Sequence, residues 1–432
     1  LRTQHTYIIQ SPDFTTRLLQ WSQQFQEVVW LDSNKHSQKY TSYDAVLAVD
    51  AFTSITTDSY QAFDKLHEYQ SVTKDWIFGY LSYDLKNDLE DLSSNNFDGL
   101  NFPELFFFQP KKIFLIKEGV VEMHYLNMVD EEFMSDLMEI EQYTGNESRR
   151  ISEKINIKLR LTKDHYFEKI KRMLAHIHRG DIYEANFCQE FYTENTPIDP
   201  LETYQKLNTI SKAPFTTFFK NQHCYALSAS PERYLKKDGT AVISQPIKGT
   251  AQRSSDPGVD EQLKEELKSN LKERSENIMI VDLVRNDLSQ TALKGSVKVE
   301  ELCEVYSFEQ VHQLISTITS VVAKETSPVT ILRTTFPMGS MTGAPKISAM
   351  KIIEDLEETK RGLYSGAIGY FSPTGDFDFN VVIRSILYNA KNHYVSYSVG
   401  GAITAKSDPQ KEYEECLIKA KAMKQVLENQ LY

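Results

Sequence analysis

Residues 224–250 constrain the fold more than any other stretch of this chain. Two apolar runs, 224–229 and 241–245, flank the turn-rich Lys236-Lys237-Asp238-Gly239, and Asp-Gly between such runs is a hairpin signal. We read the two runs as paired antiparallel strands. Their pairing would bring together the outer ends of the hairpin, where Glu232 and Lys248 stand. An acid and an amine at one sheet edge can serve one pocket, the first as proton donor and the second as nucleophile or base.

Around this hairpin the apolar period changes repeatedly. Strand-like runs at 6–10, 28–31, 45–49, 76–80 and 112–125 are interspersed with helical patterning at 13–26, 59–69 and 131–142, and 87–99 reads as a polar, acidic loop. Residues 141–158 include Thr144-Gly-Asn-Glu-Ser-Arg-Arg, carry charge and turn residues without an apolar period, and form the expected linker. They divide a β-rich N-terminal part, 1–145, from a C-terminal part, 160–432. The second part opens on a helix capped by Thr162 or Asp164 and ended by Gly180. Leu263, Leu267 and Leu271 continue at helical spacing through Arg274-Ser-Glu-Asn-Ile-Met-Ile-Val281, and Pro345 sits at a first-turn position before Ile347, Met350, Ile353 and Leu356. Strand-like runs follow at 365–371, 377–388 and 394–399, then a last helix from Ser407-Asp408-Pro409. Helices and strands without a regular βαβ rhythm predict an α+β layered sandwich of mixed or antiparallel sheets, not a doubly wound parallel sheet.

Charge narrows the function. The 432 residues carry 48 Lys and Arg against 60 Asp and Glu, a net charge of −12, whereas nucleic-acid binding needs a concentrated basic face. A few local cations can still dominate a pocket for a small anion. No apolar run approaches the roughly 18 residues of a membrane span. The start, Leu1-Arg-Thr-Gln, has no signal-peptide core, so a cytoplasmic location is expected. Cys188, Cys224, Cys303 and Cys416 are scattered without C-x-x-C pairing, as expected of free buried thiols, and none has the setting of an amidotransferase nucleophile.

Several charged residues suggest a site. Glu412, Glu415 and Lys419 fall at i, i+3 and i+7 on one stripe of the last helix. Two carboxylates on a stripe suit a hard divalent cation such as Mg²⁺, although the same spacing suits a solvated charged face, which spacing alone favours. Lys272, Glu273 and Glu276 form a second cluster just ahead of the apolar residues 278–281, and a buried carboxylate needs a metal or cation nearby. Arg384 interrupts the apolar run 377–388 on a face shared with Val382 and Ile386. An inward guanidinium calls for an anion, whether a structural carboxylate or a ligand's, and Tyr364 could lend its hydroxyl to the same anion. Gly400-Gly401 and Gly339-Ser-Met-Thr-Gly-Ala-Pro-Lys346 could present N–H groups to an anion or simply mark tight turns. Neither is a phosphate-binding Walker loop. His312 lacks a second histidine at zinc-site spacing and is expected to pack or hydrogen-bond.

Five segments, taken together, resemble a known family. Ser230-Pro-Glu-Arg233, Pro246-Ile-Lys-Gly-Thr250, Arg274-Ser-Glu-Asn-Ile-Met-Ile-Val-Asp-Leu-Val-Arg-Asn-Asp287, Phe336-Pro-Met-Gly-Ser-Met-Thr-Gly-Ala-Pro-Lys346 and Glu412-Tyr-Glu-Glu-Cys416 look like those of the chorismate-utilising enzymes. These include component I of anthranilate synthase and of aminodeoxychorismate synthase, and the isochorismate and salicylate synthases. The likeness runs in order through about 160–430, and Trp76-Ile-Phe-Gly-Tyr-Leu-Ser-Tyr-Asp84 is similar to the family's glycine–tyrosine–aspartate strand. The resemblance implies the family's α+β fold, chorismate as substrate and Mg²⁺ as cofactor. It implies that Glu276 and Glu415 hold Mg²⁺, partly through waters, against the substrate's ring carboxylate, that Glu412 supports them and that Lys419 steadies the same carboxylate. Tyr364, Arg384 and Gly400 would hold the enolpyruvyl carboxylate. Glu232 would protonate the departing C4 hydroxyl, and Lys248 would attack C2 or, in relatives that use water there, act as base.

Position 248 separates the subfamilies. Aminodeoxychorismate synthases resemble this chain in Pro-Ile-Lys-Gly-Thr, whereas anthranilate synthases carry alanine there. The implied reaction is chorismate plus ammonia to 4-amino-4-deoxychorismate, on the way to p-aminobenzoate and folate, with the ammonia from a separate glutaminase subunit. Many relatives that eliminate pyruvate have histidine where this chain has Gln313, with His312 one place earlier. Glutamine cannot act as a proton carrier, which argues against elimination. Leu31-Asp-Ser-Asn34 falls near where some relatives hold tryptophan. The alternatives are isochorismate, salicylate or anthranilate synthase-like activity, and a non-catalytic subunit that binds chorismate or tryptophan.

Overall fold

The structure, a computed structural model, describes residues 1–36, 39–143, 155–308 and 311–428. Most of the expected linker, 144–154, lies outside the described residues. The strand Leu105–Lys117 is the junction of the fold. Along one edge it pairs with Ala45–Thr57. Along the other, its first half pairs with Ile77–Leu81 and its second half with Val120–Leu126. Two runs of strands leave this junction. One passes from Ala45–Thr57 through Glu27–Asp32, Phe215–Asn221, Cys224–Ser230, Ser385–Asn389 and Tyr394–Thr404 to Glu184–Thr193. The other passes from Ile77–Leu81 through Ala367–Phe371, Phe377–Asn380, Arg233–Asp238 and Ala241–Gln245 to Val311–Val321.

These ladders are antiparallel, and with the helices they make the expected α+β sandwich. Val29, Ala48, Phe219 and Ala226 of the first run share a buried cluster with Ile77, Leu235, Phe371 and Phe379 of the second. Each such side chain contributes roughly 1.5–3 kcal/mol when fully buried, so this layer holds the two runs together. A second cluster packs the first run against helices Phe14–Trp21, Lys163–Arg179, Pro200–Ser211 and Pro409–Leu427. The segments 1–145 and 160–432 are joined by two ladders, Glu27–Asp32 on Phe215–Asn221 and Ile77–Leu81 on Ala367–Phe371. Among the described residues, no helix is long and apolar enough to cross a membrane.

The hairpin expected from sequence is re-paired. Run 224–229 lies between Phe215–Asn221 and Ser385–Asn389. The partner of Ala241–Gln245 is instead Arg233–Asp238, closed at Gly239 with φ +58. Lys236 and Lys237 look like turn residues in sequence, but both are buried in the strand. Lys236 donates to Tyr40 O at 2.7 Å and Ser42 Oγ at 2.6 Å, and Lys237 pairs with Asp376 at 3.0 Å. Run 377–388 is not one strand either. It breaks at 381–384, where the chain leaves the second run of strands for the first, and Arg384 adopts φ +53 there. Its expected face-sharing with Val382 and Ile386 along one strand is lost with that break. Run 112–125 turns back on itself at Glu118 and Gly119, both at positive φ. The helical run through 263–281 divides at Asn270, whose side chain caps Leu271–Ser289 by accepting from the N–H groups of Lys272 and Glu273. Pro345 stands at the cap before Lys346–Leu356 rather than in its first turn.

Candidate active site

The corrected hairpin still brings its acid and its amine together. Arg233 pairs with Gln245, so Glu232 and Lys248 leave the ladder on adjoining strands. Strand Ile247–Gln252 is irregular between Ile247 and Thr250. Within that irregularity Gly249 adopts φ +87, and a Cβ there would stand 3.1 Å from Glu273 Oε2. Glycine therefore lets the strand carrying Lys248 approach helix Leu271–Ser289. Burial pushes the Glu232 carboxyl up to about 7, against the opposing effects of the Ser340 side chain, the Lys248 charge and the Ile247 N–H. An acid of that strength holds a transferable proton near neutral pH.

Helix Leu271–Ser289 and helix Pro409–Leu427 supply a carboxylate cluster. Glu276 is 8% exposed and its Oε1 has no hydrogen-bond partner. Burial raises its carboxyl to about 7 despite Lys248 and Lys272. The Lys272 Nζ lies 3.7 Å from Glu276 Oε1 and 3.5 Å from Glu412 Oε1, between the two helices. Lys419 Nζ is 2.7 Å from Glu415 Oε1 and donates to Gly400 O at 2.8 Å. Burial works to raise Glu415, but Lys419, Lys272 and Lys248 together outweigh it and the carboxyl lies below its usual value. Gly401 lies over these groups, and a Cβ there would meet Glu412 Oε2 at 3.4 Å and Lys419 Nζ at 3.7 Å, in ordinary contact. Among the described residues no three acid, His or Cys side chains are already gathered as a metal cage. The donor set nevertheless fits a hard cation, because Glu276 Oε1 has no hydrogen bond and the Lys272 ammonium already lies between two carboxylates.

A cluster with groups suited to an anion adjoins these carboxylates. Arg384 is half-buried and its Nη1 donates to Lys419 O at 3.2 Å. Among the described residues no carboxylate forms an ion pair with it. Burial lowers its guanidinium against the influence of Tyr364 and Glu415. The Tyr364 hydroxyl is buried and accepts from Cys188 Sγ at 3.8 Å. Gly400 allows strand Tyr394–Thr404 to lie close to Glu184–Thr193, since a Cβ would come within 2.5 Å of Cys188 Sγ and 2.6 Å of Phe187 O. Tyr364, Cys188, Gly400, Lys419 and Arg384 thus form a connected set, with Glu415 at its edge. The charge of Lys248 acts on Glu184, Glu232, Glu273, Glu276 and Glu415, which puts Lys248 among all these groups.

Glu184 and Ser340 were not singled out from sequence. Glu184 is 2% exposed, burial raises its carboxyl, and its Oε2 has no hydrogen-bond partner. An acid opening the largely buried strand Glu184–Thr193, which also carries Glu190, was the available signal. His312 is hydrogen-bonded to Ser307 Oγ at 2.8 Å and Asp260 Oδ1 at 3.1 Å, as a packed histidine should be. Gln313 is buried with its Oε1 unpartnered. Leu31, Asp32 and Ser33 line a cavity with Tyr43, Phe215 and Tyr370.

Glu232 and Glu276 also predict a stability profile. The folded chain keeps both protons up to about pH 7, whereas the ordinary value is 4.5. Their stabilising contribution is full below the unfolded value and is lost as pH rises through the folded one. Between pH 5 and 8 the melting temperature should fall more steeply in the parent than in a Glu232→Gln, Glu276→Gln double variant. Equal slopes in thermal melts would refute the raised values.

Sequence comparison places this fold and site in a class. The chain matches the chorismate binding enzyme family over residues 26–425 and belongs to it. It is 39% identical to aminodeoxychorismate synthase component 1 of Escherichia coli (strain K12), over 62% of this chain and 58% of that protein. It is 38% identical to the chloroplastic aminodeoxychorismate synthase of Arabidopsis thaliana, over 71% of this chain and 34% of that protein. The chain thus spans about a third of the length of the plant relatives it matches. Its fold superposes on anthranilate synthase component I from Streptococcus pneumoniae TIGR4 with a TM-score of 0.76 at 25% identity, over 90% of this chain and 94% of that one.

Proposed function

We propose that this chain is the aminating component of an aminodeoxychorismate synthase, converting chorismate and ammonia to 4-amino-4-deoxychorismate. The observation that carries the reading is Lys248, an amine at the edge of the carboxylate cluster, on the strand beside a buried acid poised near neutral pH. Arg384 and the Tyr364 hydroxyl would receive the enolpyruvyl carboxylate, and Lys419 the ring carboxylate. Mg²⁺, when bound, would neutralise that ring carboxylate, and Glu276, Glu415 and Glu412 would hold it. Glu232 gives its proton to the C4 hydroxyl, which departs as water while the Lys248 amine forms a bond to C2. Ammonia then bonds to C4, and the C2–N bond breaks with its electron pair returning to Lys248.

A separate glutaminase is the inferred ammonia source. The cavity beside Leu31, Asp32 and Ser33 supports tryptophan binding, with Asp32 opposite an α-ammonium and Tyr43, Phe215 and Tyr370 as walls for an indole. Four buried, free cysteines support a reducing compartment such as the cytoplasm.

Incubation with chorismate, Mg²⁺ and ammonium, followed by a lyase that releases p-aminobenzoate, should yield p-aminobenzoate. Its absence would refute the assignment. Isochorismate or salicylate formed without ammonium would establish the water-using reaction instead, and chorismate binding without turnover would mark a non-catalytic subunit.

A further inference from the structure

Behind Glu232, on the side of helix Leu271–Ser289, lies a small cavity of about 20 Å³. A cavity needs roughly 10–15 Å³ of this kind to hold one water-sized molecule. Its polar wall consists of Glu232, Ser244, Asp287, Thr335 and Ser340. These groups are rich in acceptors and poor in free donors. The Ser244 hydroxyl donates to Tyr234 O at 3.0 Å, and the Thr335 hydroxyl is engaged with Ile331 O and Leu332 O. Asp287 receives Lys346 Nζ on Oδ2 at 2.6 Å. The Ser340 hydroxyl is the exception. It is buried, with 6% of the residue exposed, its Oγ has no partner within hydrogen-bond geometry, and it lies near enough to the Glu232 carboxyl to oppose the effect of burial there. Val284, Leu288 and Met338 complete the wall and keep the space narrow.

We infer that this cavity is the subsite for the nitrogen substrate, binding ammonium between Glu232, Asp287 and Ser340. Ammonium is water-sized, carries one positive charge and donates four hydrogen bonds, which suits an acceptor-rich cavity walled by two carboxyl groups. The placement also closes the proton balance of the proposed reaction, on which this inference rests. Once Glu232 has given its proton to the departing water it is a carboxylate. Ammonium returns that proton to Glu232 and becomes ammonia, whose lone pair forms the C4–N bond as Lys248 leaves C2 as a neutral amine. The product departs with its new amino group protonated, and both Glu232 and Lys248 are restored.

Ser340→Ala removes one hydroxyl, and Val284→Ile narrows the cavity by one methylene. The loss of one hydrogen bond should raise the ammonium KM of Ser340→Ala by about 2–10-fold, and Val284→Ile should raise it at least as much. The chorismate KM should stay within about twofold of the parent in both variants. A crystal of the parent soaked in rubidium, an ion of ammonium's charge and near its size, should show anomalous density between Glu232 and Asp287. An ammonium KM unchanged in both variants, or an ammonium KM that rises only in step with the chorismate KM, would overturn the subsite and leave a structural water there. The rubidium density decides the subsite even if the parent makes no amino product, an outcome that would remove the proposed reaction and not the site.

Discussion

Lys248→Ala should lower the amination rate by about 10³-fold, within the range seen when a group that carries covalent or proton-transfer chemistry is removed. Chorismate affinity should stay within about threefold. The argument rests on the division of labour in the site. In the proposed reading the substrate's carboxylates are met by Arg384, Tyr364, Lys419 and a cation that the glutamates would hold, and none of these depends on the Lys248 amine for its position. Arg384 is fixed by the Lys419 carbonyl and Tyr364 by Cys188. Lys248→Arg provides the decisive control. It keeps the positive charge that acts on Glu232 and Glu276, but a guanidinium is not deprotonated in proteins and cannot attack C2. Product formation followed by mass spectrometry, with chorismate binding by calorimetry, separates the two roles. An arginine variant as fast as the parent would reduce Lys248 to a local charge.

Glu276→Ala should change function and stability in opposite directions. Losing even an indirect metal partner commonly costs 10–100-fold in metal affinity, so if Glu276 is the ligand proposed above, its loss should weaken Mg²⁺-dependent chorismate binding by about 100-fold or more. Yet in the absence of metal at pH 8 the variant should melt a few degrees higher than the parent. The carboxylate is buried, its Oε1 is orphaned, and burial has raised it to about 7, so above that pH the fold must hold a poorly solvated charge. Mg²⁺ should raise the melting temperature of the parent and leave that of the variant unchanged. A variant that melts lower than the parent in metal-free buffer and still binds chorismate in a Mg²⁺-dependent way would show Glu276 to be a structural residue.

The site was legible wherever chemistry follows a local rule. The helical repeat places Glu412, Glu415 and Lys419 on one stripe, and the structure puts Lys419 against Glu415 at 2.7 Å. The lone guanidinium of Arg384 in an apolar run announced an anion partner, and no carboxylate of the described chain pairs with it. Glu184 escaped notice because a single acid has no period, and its significance lies in facing Lys248 from a different strand. Ser340 sits within a recognisable segment but became distinct only through its unfilled hydrogen bond beside Glu232.

Sequence alone determined the α+β class and the helix limits at Thr162, Gly180 and Asp408, because each depends on neighbours within a few positions. Strand partnership was decided only by the tertiary structure. Lys236 and Lys237 read as turn residues until Tyr40, Ser42 and Asp376, remote in sequence, accept their ammonium groups. The run 377–388 read as one strand until two separate ladders claimed its halves and placed Arg384 in the left-handed crossover between them. Period 2 specifies which face of a strand is apolar, but not which strand will cover it. That choice depends on the burial and hydrogen bonding of the whole sheet, and it set Glu232 beside Lys248 through a different hairpin from the one the local pattern suggests.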